Sequence, residues 1–333
     1  MEPTFRLIGI FVVIFFIFIV SCSIAGEDFK LYDPDKNFES DSNLQLIKTN
    51  AEKNVEIGKL DEDAAEHIFK ALEYAKEGNT DKQLEEYKLA IQLDPTYWMI
   101  DHYIARCCYI NGRYKDAIAY YSKLIELRHE YTVLYEERAL ALTRIGLYSS
   151  ALSDLNKVIA IKPKAGYLYY NRGCIYGKYL KFDDAITEFS KVIELEGDNI
   201  FQKNPKCCIK ISLFPRCWRY MSYCYRGWAY YQIGDEKKAI RDLNKSIKIE
   251  PRCDDSYIYL GKIYQWKNKL RFAKYYYSKA IKTNPNNVEG YILRGLLYCK
   301  KGKNKKGCTD FKKACELGYC DLYEKVKKNG DCE

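Results

Sequence analysis

The side chains able to do acid–base or covalent chemistry are scattered through this sequence rather than gathered. Three histidines, His67, His102 and His129, stand far apart. No His-Glu-x-x-His pair is present to hold zinc, no glycine-rich loop to cradle phosphate, and no serine in a strand-to-helix elbow. The adjacent carboxylates Glu136 and Glu137, Asp183 and Asp184, and Asp254 and Asp255 fall at helix starts, where the helix dipole favours negative charge without any catalytic role. Cysteine is the larger chemical reserve, with fourteen in the chain. No Cys-x-x-Cys occurs, which removes the usual thioredoxin-like and zinc-ribbon spacings. Setting Cys22 aside leaves an odd number, so the remainder cannot all pair within one chain. Two groups are the disulfide candidates: Cys207, Cys208, Cys217 and Cys224, and Cys308, Cys315, Cys320 and Cys332. The others read as small buried hydrophobes. No catalytic residue, metal or cofactor is expected, and the sequence argues against an enzyme.

The elements that must position these residues follow a 34-residue period, written seven times from Ala64, Trp98, Thr132, Gly166, Tyr220, Asp254 and Val288. Place eight of each unit is small: Ala71, Ala105, Ala139, Gly173, Gly227, Gly261 and Gly295. Place eleven is mostly tyrosine, place twenty mostly alanine, and Pro95, Pro163, Pro251 and Pro285 close four units at place thirty-two. Each unit divides into a helix A, such as Tyr170 to Leu180, and a helix B, such as Asp183 to Leu195. Helix B carries Ala185, Phe189 and Val192 as an apolar stripe of helical period. The small place eight lets the two backbones approach, so a large side chain at Gly173 or Gly227 would wedge them apart. Glycine between the helices, as at Gly112, Gly146 and Gly234, suits the left-handed turn that stops helix A. No sustained alternating runs with hairpin turns occur, so the class is all-α.

This period, with its small, aromatic, alanine and proline marks, resembles the tetratricopeptide repeat and covers about three quarters of the chain. The resemblance implies a right-handed α-solenoid of seven helix-turn-helix units (64–97, 98–131, 132–165, 166–199, 220–253, 254–287, 288–321) with no enzymatic site. It also implies a concave groove lined by helix A, whose residues here are Met99, His102, Arg106, Tyr109, Glu136, Arg144, Tyr167, Tyr170, Lys178, Trp228, Tyr231, Lys262 and Trp266. Aromatic and cationic side chains in this mixture suit a protein or peptide ligand bearing acidic groups, with Trp228, Tyr170 and Tyr231 as anchors. Asn171 matches one member of the set by which some such repeats clamp terminal carboxylates, but the cationic members do not recur in order, so that ligand is not assigned.

Ahead of the repeats, residues 1–21 read as a signal peptide: a fourteen-residue apolar run, Leu7 to Val20, is short for a bilayer span and suits a leader core. Ile19-Val20-Ser21-Cys22 resembles a bacterial lipobox, which makes Cys22 the expected lipidation site. Two alternatives stand beside it: cleavage after Ala25, or retention of the run as an anchor. All three place the repeats outside the cytoplasm, in a cell envelope or secreted. Residues 22–63 form an acidic tether in which Leu44, Ile47, Ala51 and Val55 have the spacing of a capping helix. Residues 322–333 read as a C-terminal cap.

The net charge of +9 conceals a division. Ser23 to Thr96 holds nine Lys or Arg against eighteen Asp or Glu, and Tyr97 to Glu333 forty-four against twenty-six. Most of these charges solubilise outer helix faces. The insert 200–219, which interrupts the period, has five cations, no acid and several apolar residues. Two functions follow: a scaffold binding protein partners in the groove, or an adhesin for glycans or polyanions using the basic distal repeats and insert. A nucleic-acid partner is not expected of an exported chain.

Overall fold

A computed structural model of the chain describes residues 41–196, 218–328 and 332. Among these residues every regular element is an α-helix, and the all-α repeat solenoid is the class the period predicted. The chain divides into two compact units, Met1–Tyr179 and Leu180–Glu333, so the boundary falls inside the fourth repeat.

Unit 1 begins with α1 (Asp41–Glu56), followed by the pairs α2 (Glu62–Lys76) and α3 (Thr80–Leu93), α4 (Met99–Ile110) and α5 (Tyr114–Leu127), and α6 (Thr132–Arg144) and α7 (Tyr148–Ile161). It ends with α8 (Gly166–Lys178). Unit 2 begins with α9 (Phe182–Glu196). The pairs α10 (Trp218–Gln232) and α11 (Glu236–Ile249), α12 (Asp254–Trp266) and α13 (Leu270–Thr283), and α14 (Val288–Lys300) and α15 (Asn304–Glu316) follow, then α16 (Asp321–Lys328). Within each unit every helix packs on its neighbour in sequence. This is a chain of local contacts, in which each helix pair finds on the next pair the apolar surface it cannot bury alone.

The template acts through close approach. A Cβ on Gly227 would meet Leu243 at 2.9 Å, one on Gly295 would meet the Phe311 ring at 2.5 Å, and one on Gly261 would overlap the Tyr277 ring. The facing residue is place twenty-four of the same unit, where Tyr87, Tyr121, Phe189, Tyr277 and Phe311 are among the largest fully buried side chains. A large ring on helix B therefore fills the space that helix A leaves open at place eight. The turn between helices has positive φ at place fifteen in every unit: Gly78, Gly112, Gly146, Leu180, Gly234, Asn268 and Gly302. Glycine adopts this conformation without a Cβ clash, whereas Leu180 and Asn268 do so at a cost.

A polar staple missing from the sequence reading holds successive repeats together. Arg138 donates from Nε and Nη2 to Asp154 at 2.8 Å and from Nη1 to Ser122 at 3.0 Å. Arg294 repeats this with Asp310 and Ser278, and Arg226 does so with Asp242 at 2.7 Å and Ser190 at 2.9 Å. In each case an arginine at place seven reaches the aspartate of its own helix B and a serine on the preceding helix B. The carboxylates are almost wholly buried. The Arg226 contact spans the insert and keeps the geometry of the others. The insert therefore does not alter how α9 stacks on α10.

Candidate peptide-binding walls of the two units

The residues expected to line a groove lie on helix A of the repeats, and each unit holds its own set of them. In unit 1, His102 Nε2 lies 2.5 Å from Glu137 Oε2, and Arg106 Nε lies 3.7 Å from Glu137 Oε1. Burial pushes the Glu137 carboxyl up, but the His102 and Arg106 charges, with hydrogen bonds from His102 and Tyr121, outweigh it and hold the group below the usual carboxylate range. The His102 ring stacks beside Trp98, which meets Tyr131 at 4.9 Å. Further along, Arg144 donates from Nε to Tyr109 Oη at 3.3 Å, tying α6 to α4. Tyr167 Oη donates to Glu136 at 3.0 Å, and Lys162 pairs with the same carboxylate. Met99 is half-buried, with its sulfur accepting from Tyr97 Oη.

In unit 2 the wall is aromatic. Trp228 stacks on Tyr259 at 4.7 Å and on Tyr231 at 5.1 Å, and Lys262 Nζ sits 4.8 Å from the Trp228 ring centre. Lys262 is also paired with Glu289 at 2.8 Å. Trp266 meets Tyr231 edge-on at 6.5 Å and is 72% exposed. The Trp228 indole N–H finds no acceptor among the described residues.

The structure thus brings together the expected residues His102 with Arg106, Tyr109 with Arg144, Glu136 with Tyr167, and Trp228 with Tyr231, Lys262 and Trp266. Two expected anchors lie elsewhere in depth: Tyr170 is 0% and Trp228 5% exposed. Helix A turns these rings into the packing between helices, which leaves Tyr231 and Trp266 as the accessible rings among the expected wall residues of unit 2. Lys178 is half-buried at the end of α8. The cations of the walls also differ from the expectation of free positive charge, because Arg106 and Lys262 face carboxylates of the fold itself. Of their partners, Glu137 reads in the sequence only as a helix-start acid, and Glu289, at the second place of the seventh helix A, is not among the expected groove residues.

Several candidate residues fall outside the described residues: Cys22 and the leader, and Cys207, Cys208 and Cys217 of the insert. Cys224, grouped with the latter as a disulfide candidate, is a free buried thiol. Burial pushes it well above the usual thiol range, while its hydrogen bond holds the neighbouring Cys253 low. Cys253 Sγ lies 3.2 Å from Ser256 Oγ, which donates to Ser246. At the C-terminus, Cys308 is bonded to Cys332 and Cys315 to Cys320. Among the described residues no three His, Cys, Asp or Glu side chains are grouped to hold a metal ion, and no helix is long and apolar enough to cross a membrane.

The family profile of the tetratricopeptide repeat matches residues 67–97, 220–253 and 276–308. The second match coincides with the fifth unit of the period. Three stretches of the solenoid thus match the tetratricopeptide repeat. Among solved structures, a tetratricopeptide repeat protein from Parabacteroides merdae is 20% identical, with a TM-score of 0.62 over 80% of this chain and 98% of that one. The Cut9–Hcn1 hetero-tetramer of the APC/C gives 15% identity and a TM-score of 0.54 over 79% of this chain and 47% of that one. These likenesses establish the fold. No curated protein matches in sequence. The walls described above are the helix A surfaces of the second to fourth and fifth to seventh units of the period.

Proposed function

We propose that this protein is a non-catalytic scaffold that holds protein or peptide partners against the helix A walls of its repeats. The observation that carries the reading is the unit 2 wall, where exposed Trp266 and half-buried Tyr231 rise beside a packed layer of Trp228, Tyr259 and Lys262. Rings held rigid by their neighbours lose little entropy on binding, which is why aromatic anchors dominate the energetics of interfaces. Because Lys262 and Arg106 already face Glu289 and Glu137, the ligand is selected more by apolar or aromatic anchor residues than by negative charge.

The test is selection of binding peptides from a displayed random library, followed by titration of the full chain. Trp266→Ala and Tyr231→Ala are expected to weaken binding by at least about 2 kcal/mol each, the loss typical of a hot-spot residue. Peptides whose affinity ignores both substitutions would remove the unit 2 wall as the site.

The address belongs to the same proposal. The apolar run Leu7 to Val20 and the sequence Ile19 to Cys22 support export and anchoring through a lipid on Cys22. Two disulfides at the C-terminus fit an oxidising compartment. Mass spectrometry of the mature N-terminus decides it: a diacylglyceryl Cys22 supports the anchor, and an unmodified start at Gly26 replaces it with a freely released protein.

A further inference from the structure

The free positive charge of this protein lies away from the helix A walls. Helices α10 to α16 (residues 218–328) hold 26 Lys or Arg against 11 Asp or Glu, a surplus of 15. By contrast, residues 41–178 of unit 1 balance, with 19 against 20. The surplus is concentrated on the helices B of unit 2: α11, α13 and α15 carry 13 cations and four acids between them. Those four acids are already engaged: Asp242 and Asp310 with the staple arginines, Glu236 with Lys267 and Glu316 with Lys313. Helix α13, the middle of the three in stacking order, has four cations and no acid.

On α13 the charge is interleaved with apolar rings. Ala273, Tyr277 and Ala280 form its buried stripe. On the other side, Phe272, Tyr275, Lys279 and Lys282 share a helical face. Phe272 is 55% and Tyr275 53% exposed, with Lys279 Nζ 5.6 Å from the Tyr275 ring centre. Phe272 stacks on Tyr264 at 5.3 Å on one side and keeps its other side in solvent next to Tyr275 and the lysines. Eleven of the 13 cations are lysines, which act as flexible point charges, whereas a site shaped for individual sulfate or phosphate groups favours the planar arginine fork. Lysines that snorkel around interfacial aromatic residues are the pattern of a helix face lying on charged lipid.

We infer that the helix B face of α11, α13 and α15 is a docking surface for an anionic lipid bilayer, with Phe272 and Tyr275 entering the headgroup layer and the lysines neutralising it. This surface is separate from the helix A walls and does not depend on the peptide-binding reading.

The test uses the full chain reconstituted with vesicles of neutral phosphatidylcholine, or with vesicles in which phosphatidylserine replaces part of it. Acylation of each lysine is then followed by mass spectrometry. Lys245, Lys279 and Lys282 are expected to react at least roughly fivefold more slowly on the anionic vesicles only, reversibly with salt, and with Lys53 and Lys76 as unchanged internal references. Phe272→Ser with Tyr275→Ser, both at exposed positions, is expected to reduce the protection while the helical circular dichroism is unchanged; Trp266→Ala is expected to leave it intact. Equal reactivity on neutral and anionic vesicles would overturn the inference. So would protection by soluble heparin with none by vesicles, which would assign the face to an anionic polysaccharide.

Discussion

The staple arginines show how single residues set the energetics of this fold. Asp242 is wholly buried and Asp154 nearly so, and each is neutralised by an arginine of helix A, with Arg241 at 3.5 Å as a second, more exposed partner of Asp242. Arg226→Ala is therefore expected to destabilise unit 2 by about 3 kcal/mol, the lower end of the cost of breaking a buried pair, since Arg241 still answers part of the buried charge. The sixth repeat has Leu260 and Tyr276 at the corresponding places. Replacing Arg226 and Asp242 by this apolar pair should recover most of the loss, and denaturant unfolding of both variants checks the pair. A second residue-scale expectation concerns Glu196, whose carboxyl burial pushes up to about 7, with the backbone and charge of Arg219 opposing. The native state then holds a proton that the unfolded state has released. The contribution of Glu196 is most favourable below about pH 4.5 and declines as pH rises to about 7. Glu196→Gln should consequently raise stability at pH 8, on the order of 2 kcal/mol, and do little at pH 4; an increment that does not depend on pH would refute the assignment.

At the scale of elements, each repeat sets a large apolar side chain on helix B, a ring in five of the seven, against a small residue on helix A, with a left-handed residue between. Place eight, read from the sequence as the point of close approach, is where the Cβ positions of Gly227, Gly261 and Gly295 meet their helix B partners. The turn was only partly legible. Glycine announces the left-handed conformation, but Leu180 and Asn268 adopt it as well, asparagine at less cost than leucine. Leu180 is also largely exposed, so its side chain returns little packing. Leu180→Gly is expected to raise stability by roughly 1 kcal/mol, the cost of holding a Cβ at positive φ, which thermal unfolding can measure. The acid–arginine staple was invisible as a motif because its members lie 16 residues apart, or 36 across the insert, and two of the seven repeats replace the ion pair with apolar and tyrosine side chains.

At the scale of the whole molecule, chain-neighbour packing confines each perturbation to adjacent helices, so the ends need their own closure. In unit 1, α1 lays Leu44, Ile47 and Ala51 into the core. In unit 2, α16 has no buried residue of its own and is joined to the stack through Cys315–Cys320 and the bond from Cys308 to Cys332. Reduction should release α16 first. Hydrogen exchange of residues 321–328 is expected to rise sharply under reductant while that of α10 to α13 is unchanged, and global stability is expected to fall by about 2–4 kcal/mol where unfolding is read at α15. Uniform exchange in both conditions would show that the bridges do not bear on the end of the stack.

The sequence by itself determined the period, the all-α class, the close-approach places and the division of charge along the chain. Each of these is carried by residue type at fixed spacing, and helix pairs that contact only their neighbours keep that information local. Tertiary structure alone decided depth and pairing. It sank Trp228 and Tyr170 into the packing and left Trp266 at the surface. It set Glu137 and Glu289 against the cations expected to serve a ligand, and it left the unpaired lysines on the opposite helices. The reason is physical: whether a ring is buried, or a charge answered, depends on the rotation of each helix against its neighbour, and that rotation is fixed by packing rather than by the spacing of residues along one chain.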